Sequence, residues 1–245
     1  IKFSPMAAVK LPLQRAIPKT PTRKKEKHVI TKEQFNDIIE RFPYGSSCYL
    51  PLQLAYRCGL RLGEAFAITW DDIDLKNKKL DINKQVQYEN KYWYFTSPKY
   101  DSYRVIDLDN NILDILKKYK QQQRKDKIYY GKHYCNLKIN EKNQINEFEG
   151  NEVNLINIRE NGTYIQPRVM QHCFRIIHYK LGYKELDYHS LRHTHATMLL
   201  SAGANIKAVQ ERLGHKKLDL TLGVYTHVTE EMREQTLEIL NKKSN

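Results

Sequence analysis

The sequence predicts a mixed α+β fold, mainly α, on three observations. Apolar residues recur at helical spacing over most of the chain. One stretch, residues 79–108, changes to β-branched and aromatic runs broken by turn residues, and a second, shorter hairpin pattern surrounds Asn161-Gly162. At 245 residues the chain can bury a full core, as one large domain or two small ones.

Residues 1–28 hold eight Lys or Arg against one acidic residue, Glu26, and carry Pro5, Pro12, Pro18 and Pro21. Proline and like charge both oppose packing, so this segment reads as an extended basic linker, either an unstructured tail or a strap along a polyanion. The chain opens on Ile1 rather than Met and reads as a fragment. Globular structure begins at Thr31, where Thr31-Lys32-Glu33-Gln34 forms a capping box ahead of Phe35, Ile38, Ile39 and Phe42. A second helix spans residues 47–57 and ends at Gly59. Arg61 then falls on a turn between two helices, within Gly59-Leu60-Arg61-Leu62-Gly63-Glu64. Two readings of Arg61 stay open: a salt bridge to Glu64, three residues on, or a phosphate clamp.

Residues 79–108 predict one small antiparallel sheet, punctuated by Lys84, Asn90 and Ser97-Pro98-Lys99, with Lys99 in the turn between the last two strands. A helix capped near Asp109 follows, with Ile112, Leu113, Leu116 and Tyr119 on one face. Residues 121–165 are polar and read as an irregular insertion carrying an inserted β-hairpin around Asn161-Gly162. Pro167 opens a helix that turns Val169, Met170, Phe174 and Ile177 inward and ends at Gly182. Ser190 is a candidate cap for the next helix, with Leu191, Met198 and Leu199 inward. A short helix over residues 205–213, a segment closed by Tyr225, and a last helix with Met232, Thr236, Ile239 and Leu240 on one side complete the chain.

Lys and Arg outnumber Asp and Glu by 41 to 28, a net charge of +13 with a pI of about 9.4. A chain this basic points to nucleic acid or a membrane surface, and the sequence has neither a bilayer-spanning apolar run nor a secretion leader. Cys48, Cys58, Cys135 and Cys173 form no C-x-x-C pair, which argues against a disulfide framework and a structural zinc, and makes a reducing, cytoplasmic compartment the expectation.

His189 and Arg192 share the start of one helix, where unpaired N–H groups and a planar guanidinium fork together suit a phosphate. His215 and Tyr225 follow within the same compact helical stretch. His193 and His195, two apart, do not share a helix face and have no carboxylate pair beside them, so metal-assisted hydrolysis is set aside.

Taken in order, Gly59-Leu60-Arg61-Leu62-Gly63-Glu64, Lys99, His189-Ser190-Leu191-Arg192, Leu213-Gly214-His215 and Tyr225 resemble the boxes of the tyrosine recombinases, with wording closest to integrases of Gram-positive conjugative transposons and related phages. The resemblance runs from about Thr31 onward. Residues 29–245 would be the tyrosine-recombinase catalytic domain, residues 1–28 its linker, and Pro5 to Pro12 the end of a core-binding domain.

The resemblance implies a site-specific recombinase that integrates and excises a mobile element without metal, ATP or other cofactor. Tyr225 would attack phosphorus and form a 3′-phosphotyrosyl link. Arg61 and Arg192 would clamp the phosphate oxygens, Lys99 would protonate the 5′ oxygen, His189 would orient or deprotonate the tyrosine, and His215 would donate to the phosphate. The implied partners are double-stranded DNA at element ends and target, three further copies in a tetramer, an excision accessory factor, and no membrane. The helix of residues 229–245 could be exchanged between protomers. A type IB topoisomerase-like enzyme or a non-catalytic DNA-binding regulator are the rival readings.

Overall fold

The structure is a computed structural model and describes residues 28–214. His215, Tyr225, His227, the linker of residues 1–27 and the C-terminal segment of residues 229–245 lie outside the described residues.

Four of the described helices begin where a side chain accepts from their free N–H groups. Helix α1, Lys32–Arg41, has the expected capping box: Gln34 N donates to Thr31 Oγ1 at 3.2 Å and Thr31 N to Gln34 Oε1 at 3.0 Å. Helix α2, Tyr49–Cys58, is buried at almost every position and forms the centre of the molecule, packed chiefly on α6, Tyr188–Ser201. It ends at Gly59, whose φ of +68° needs glycine. A Cβ there would also stand 2.7 Å from His195 Cδ2 and from Leu213 Cδ2. Arg61 follows as the N-terminal flank of the single-turn helix α3, Leu62–Ala65.

The strands depart from the single sheet expected. β1, Ile73–Asp74, β2, Lys79–Ile82, and β5, Arg104–Asp107, form one antiparallel sheet in the order β1-β2-β5. β3, Gln85–Glu89, and β4, Tyr92–Thr96, form a separate ribbon. The reason lies at Asn83-Lys84. Both residues are tied to Asp72: Asn83 Nδ2 donates to its Oδ1 at 3.0 Å, and the Lys84 ammonium is held by both carboxylate oxygens at 2.6 and 2.5 Å. The ribbon therefore leaves the sheet and β5 returns to pair with β2, Ile82 opposite Arg104 and Lys79 opposite Asp107. The ribbon's own turn is Asn90-Lys91, with φ of +48° and +71°, the conformation that matches strand twist in two-residue hairpins. Lys99 consequently sits on the connection from ribbon to sheet, not in a hairpin turn between paired strands.

Helix α4, Asn110–Tyr130, is capped by Asp109, which accepts from Ile112 N at 2.9 Å, and buries Ile112, Leu113 and Leu116. It runs through residue 130, so the first ten residues assigned by sequence to the insertion are helical. Their Gln, Lys and Arg are good helix formers whatever their polarity, and Gln123 anchors the helix by accepting from Trp70 Nε1 at 2.6 Å and donating to the Ile156 carbonyl at 2.9 Å. The rest of the insertion contains three two-residue strands, β6 Lys138–Ile139, β7 Ile145–Asn146 and β8 Asn151–Glu152, in the order β7-β6-β8, which the sequence did not announce. The hairpin around Asn161-Gly162 is present as one bridge, Ile158 to Tyr164. Ile156 and Ile165 enter the main core.

Helix α5, Val169–Lys180, buries Met170, Cys173, Phe174 and Ile177, with Gly182 just beyond it as expected. Helix α6 corrects one assignment: Asp187 is its cap, and Ser190 is the third helical residue. The Asp187 carboxylate accepts from Ser190 N at 2.8 Å and Ser190 Oγ at 2.9 Å, and an ionised acceptor outcompetes a hydroxyl for the free N–H groups. Leu191 is buried, whereas Met198 is 39% exposed; the inward face of α6 carries Arg192, Thr194 and His195. Asn205 caps the short helix α7, Ile206–Leu213, by accepting from Lys207 N at 2.8 Å. Ala196, Leu200, Val209 and Leu213 form a small second core between α6 and α7.

Candidate active site

The site is organised around a carboxylate. Glu64, on α3, is fully buried, and three arginines from three parts of the chain converge on it. Arg61 Nη1 donates to Oε1 at 2.7 Å, Arg104 spans both oxygens at 3.0 and 2.8 Å, and Arg192 Nη1 stands 3.9 Å from Oε2. Burial works to raise the Glu64 pKa, but the Arg104 hydrogen bonds and charge, with the charges of Arg61 and Arg192, outweigh it and hold the group at about 2. Arg192 is pulled down to about 9 by burial and by its neighbour Arg61, against the attraction of Glu64, and stays cationic at neutral pH. Three guanidinium groups against one carboxylate leave two positive charges in the cluster, a field suited to a phosphodiester.

The same arginines grip the end of α7. Arg61 Nη2 donates to the Gly214 carbonyl at 2.9 Å, Arg192 Nη2 to that of Leu213, and Arg104 Nε to that of Arg212 at 2.8 Å. The last carbonyls of a helix have no intrahelical partner and carry partial negative charge, so cations belong there. Arg192 also donates to the Gly59 carbonyl at 2.6 Å, while its Nε is buried with no hydrogen-bond partner among the described residues.

Of the residues singled out from sequence, Arg61 and Arg192 are brought together. Both open readings of Arg61 meet here: it is bonded to Glu64, yet its side chain keeps 17% exposure and is reachable from outside. Arg192 is 1% exposed. Lys99 is exposed, its ammonium 5.1 Å from the Tyr100 ring centroid, and its connection reaches the cluster through Ser102, whose Oγ accepts from Arg61 Nη1 at 2.9 Å. His189 is exposed on the first turn of α6, its ring 4.3 Å from that of His193. His215 and Tyr225 fall outside the described residues, although Gly214, directly before His215, is one of the gripped carbonyls. His195 has structural contacts. Its Nδ1 meets the Tyr56 carbonyl at 3.0 Å and its Nε2 accepts from Arg212 Nε at 3.1 Å, and burial followed by the Arg212 charge lowers its pKa to about 4.

The sequence reading missed Arg104 and Ser102. A signal existed: strand alternation places Arg104 on the same face as the buried Ile106, opposite the exposed Tyr103 and Val105. An arginine on an inward strand face requires a buried partner.

The chain belongs to the phage integrase family, whose profile matches residues 28–232. It is 29% identical over 237 residues to a tyrosine recombinase XerC-like protein of Caldanaerobacter subterraneus, covering 92% of this chain and 57% of that protein. It is 25% identical over 226 residues to the transposase from transposon Tn916 of Enterococcus faecalis, covering 89% of this chain and 52% of the relative. Among solved structures, the Tn1549 transposon integrase in complex with circular intermediate DNA superposes with a TM-score of 0.65 at 22% identity, over 87% of this chain and 67% of that one. XerA recombinase does so with 0.59 at 18%, over 94% and 69%. The fold is thus that of the tyrosine-recombinase catalytic domain, and the chain spans little more than half the length of the curated relatives named. Among the described residues no helix is long and apolar enough to cross a membrane.

Proposed function

We propose that this chain is the catalytic domain of a site-specific DNA recombinase that integrates and excises a mobile element. The observation that carries the reading is the three-arginine cluster pinned by Glu64, in a chain of the phage integrase family. The Tyr225 phenol attacks the scissile phosphorus, the bond to the 5′ oxygen breaks, and a 3′-phosphotyrosyl link conserves the bond energy, so neither ATP nor metal is needed. Arg61 and Arg192 neutralise the non-bridging oxygens, and the buried Nε of Arg192, which has no acceptor among the described residues, is a donor available to the substrate. Lys99 gives its proton to the departing 5′ oxygen; His189 orients or deprotonates the phenol; His215 donates to the phosphate.

The substrate is double-stranded DNA at element ends and target, the assembly a tetramer with an excision accessory factor, and the setting the bacterial cytoplasm. Residues 1–28 act as a basic linker to an upstream core-binding domain.

Covalent trapping tests this. A duplex carrying the element's end and a nick beside the scissile phosphate lets the cleaved fragment diffuse away. Denaturation should then leave a protein–DNA adduct with the native chain and none with Tyr225→Phe. DNA bound without any adduct would favour a non-catalytic regulator. Relaxation of supercoiled plasmid lacking any element end would favour a topoisomerase.

A further inference from the structure

Arg104 has no assigned role in the chemistry above, yet every contact of its guanidinium ends on the site. Its fork holds both oxygens of Glu64, its Nη1 also donates to the Ser102 carbonyl at 3.1 Å, and its Nε donates to the Arg212 carbonyl at 2.8 Å. Its side chain is 6% exposed against 17% for Arg61, so Arg61 faces outward and Arg104 lies behind it. The two arginines share acceptors. Glu64 Oε1 receives both, and Ser102 is held by its hydroxyl from Arg61 and by its carbonyl from Arg104. Three successive carbonyls, of residues 212, 213 and 214, are taken one each by Arg104, Arg192 and Arg61.

We propose that Arg104 is a positioning residue for the transesterification. It never meets the phosphate. It fixes the Glu64 carboxylate, and through it the Arg61 fork, in one rigid unit with the last turn of α7, the point from which the chain continues to His215. The inference rests on the assignment of Arg61 as a phosphate clamp. Geometry makes arginine specific here: two carboxylate oxygens and two carbonyls are met by one planar group, and a lysine ammonium, a single point donor, cannot span them. Arg104→Lys therefore keeps the charge and removes the fork.

The experiment compares native chain, Arg104→Lys and Arg104→Gln for DNA affinity, single-turnover adduct formation on the nicked duplex, and amide hydrogen exchange. Misplaced clamp groups should slow adduct formation on the order of a hundredfold while affinity stays within about threefold, a split that general loss of structure would not give. Exchange in residues 206–214 should rise about tenfold or more, with α1 unchanged. Adduct formation at the native rate in Arg104→Lys, or unchanged exchange at the end of α7, overturns the proposal. Absence of adduct in the native chain would instead remove the recombinase reading, and the exchange comparison alone would then decide whether Arg104 holds the α7 turn.

Discussion

At the scale of single residues, the site is a set of charges held against the cost of burial, and that balance is readable by pH. Glu64 is lowered from its ordinary 4.5 to about 2, and His195 from 6.5 to about 4. Both folded values lie below the unfolded ones, so in each case the unfolded chain binds the extra proton first, and stability is lost as pH falls. His195 contributes fully above 6.5 and its share fades as pH drops from there towards 4; Glu64 does the same between 4.5 and 2. Acid should therefore destabilise the domain in two successive windows. Urea midpoints measured from pH 8 to pH 3 should show the upper window vanish in His195→Gln, while the lower one persists. A midpoint that stays flat between pH 6.5 and pH 4 in the native chain would refute the assignment of His195 as a buried neutral imidazole. Glu64→Gln is a harsher change. It leaves three buried or half-buried guanidinium groups without their counter-charge, and removing one partner of such a buried network costs roughly 3–5 kcal/mol.

At the scale of elements, what the sequence could say depended on how local the determinant was. The capping box at Thr31, the Asp109 cap and the end of α2 at Gly59 each depend on residues within one turn, and each was legible. The exchange of β3 for β5 beside β2 was not, because it depends on Lys84 meeting Asp72 twelve residues away. The extension of α4 to Tyr130 was missed because the outer face of a long helix is polar, and polarity alone resembles a loop. Arg61 and Arg192 could be named from their motifs. That Glu64 gathers Arg104 and Arg192 as well as Arg61 depends on β5, α3 and α6 lying side by side. Gly59 marks where the end of α2 meets α6 and α7. With φ of +68° and a prospective Cβ 2.7 Å from both His195 and Leu213, Gly59→Ala combines backbone strain with a clash into α6 and α7. It should lower stability by about 2 kcal/mol or more. Equal denaturant midpoints for the variant and the native chain would show that the α2–α6–α7 junction is looser than this packing implies.

For the whole molecule, among the described residues both core clusters are built from residues between Ile30 and Leu213. Residues 229–245 lie outside the described residues, and their sequence places Met232, Thr236, Ile239 and Leu240 on one side of a helical projection. An apolar stripe in water must be covered, and we propose that a neighbouring protomer covers it, so that strand cleavage at Tyr225 is coupled to assembly of a ring on DNA. The segment holds four acidic and three basic residues, so removing it changes net charge by one and leaves the electrostatic attraction of a +13 chain for DNA nearly intact. Deleting residues 229–245 should therefore preserve the thermal midpoint and binding of one chain to a half-site, while abolishing the tetramer in sedimentation of the DNA complex. A tetramer of native stability in the truncated protein would place the stripe against its own domain. A collapse of the thermal midpoint would mean that the segment completes the fold, and either outcome would remove the coupling between assembly and cleavage.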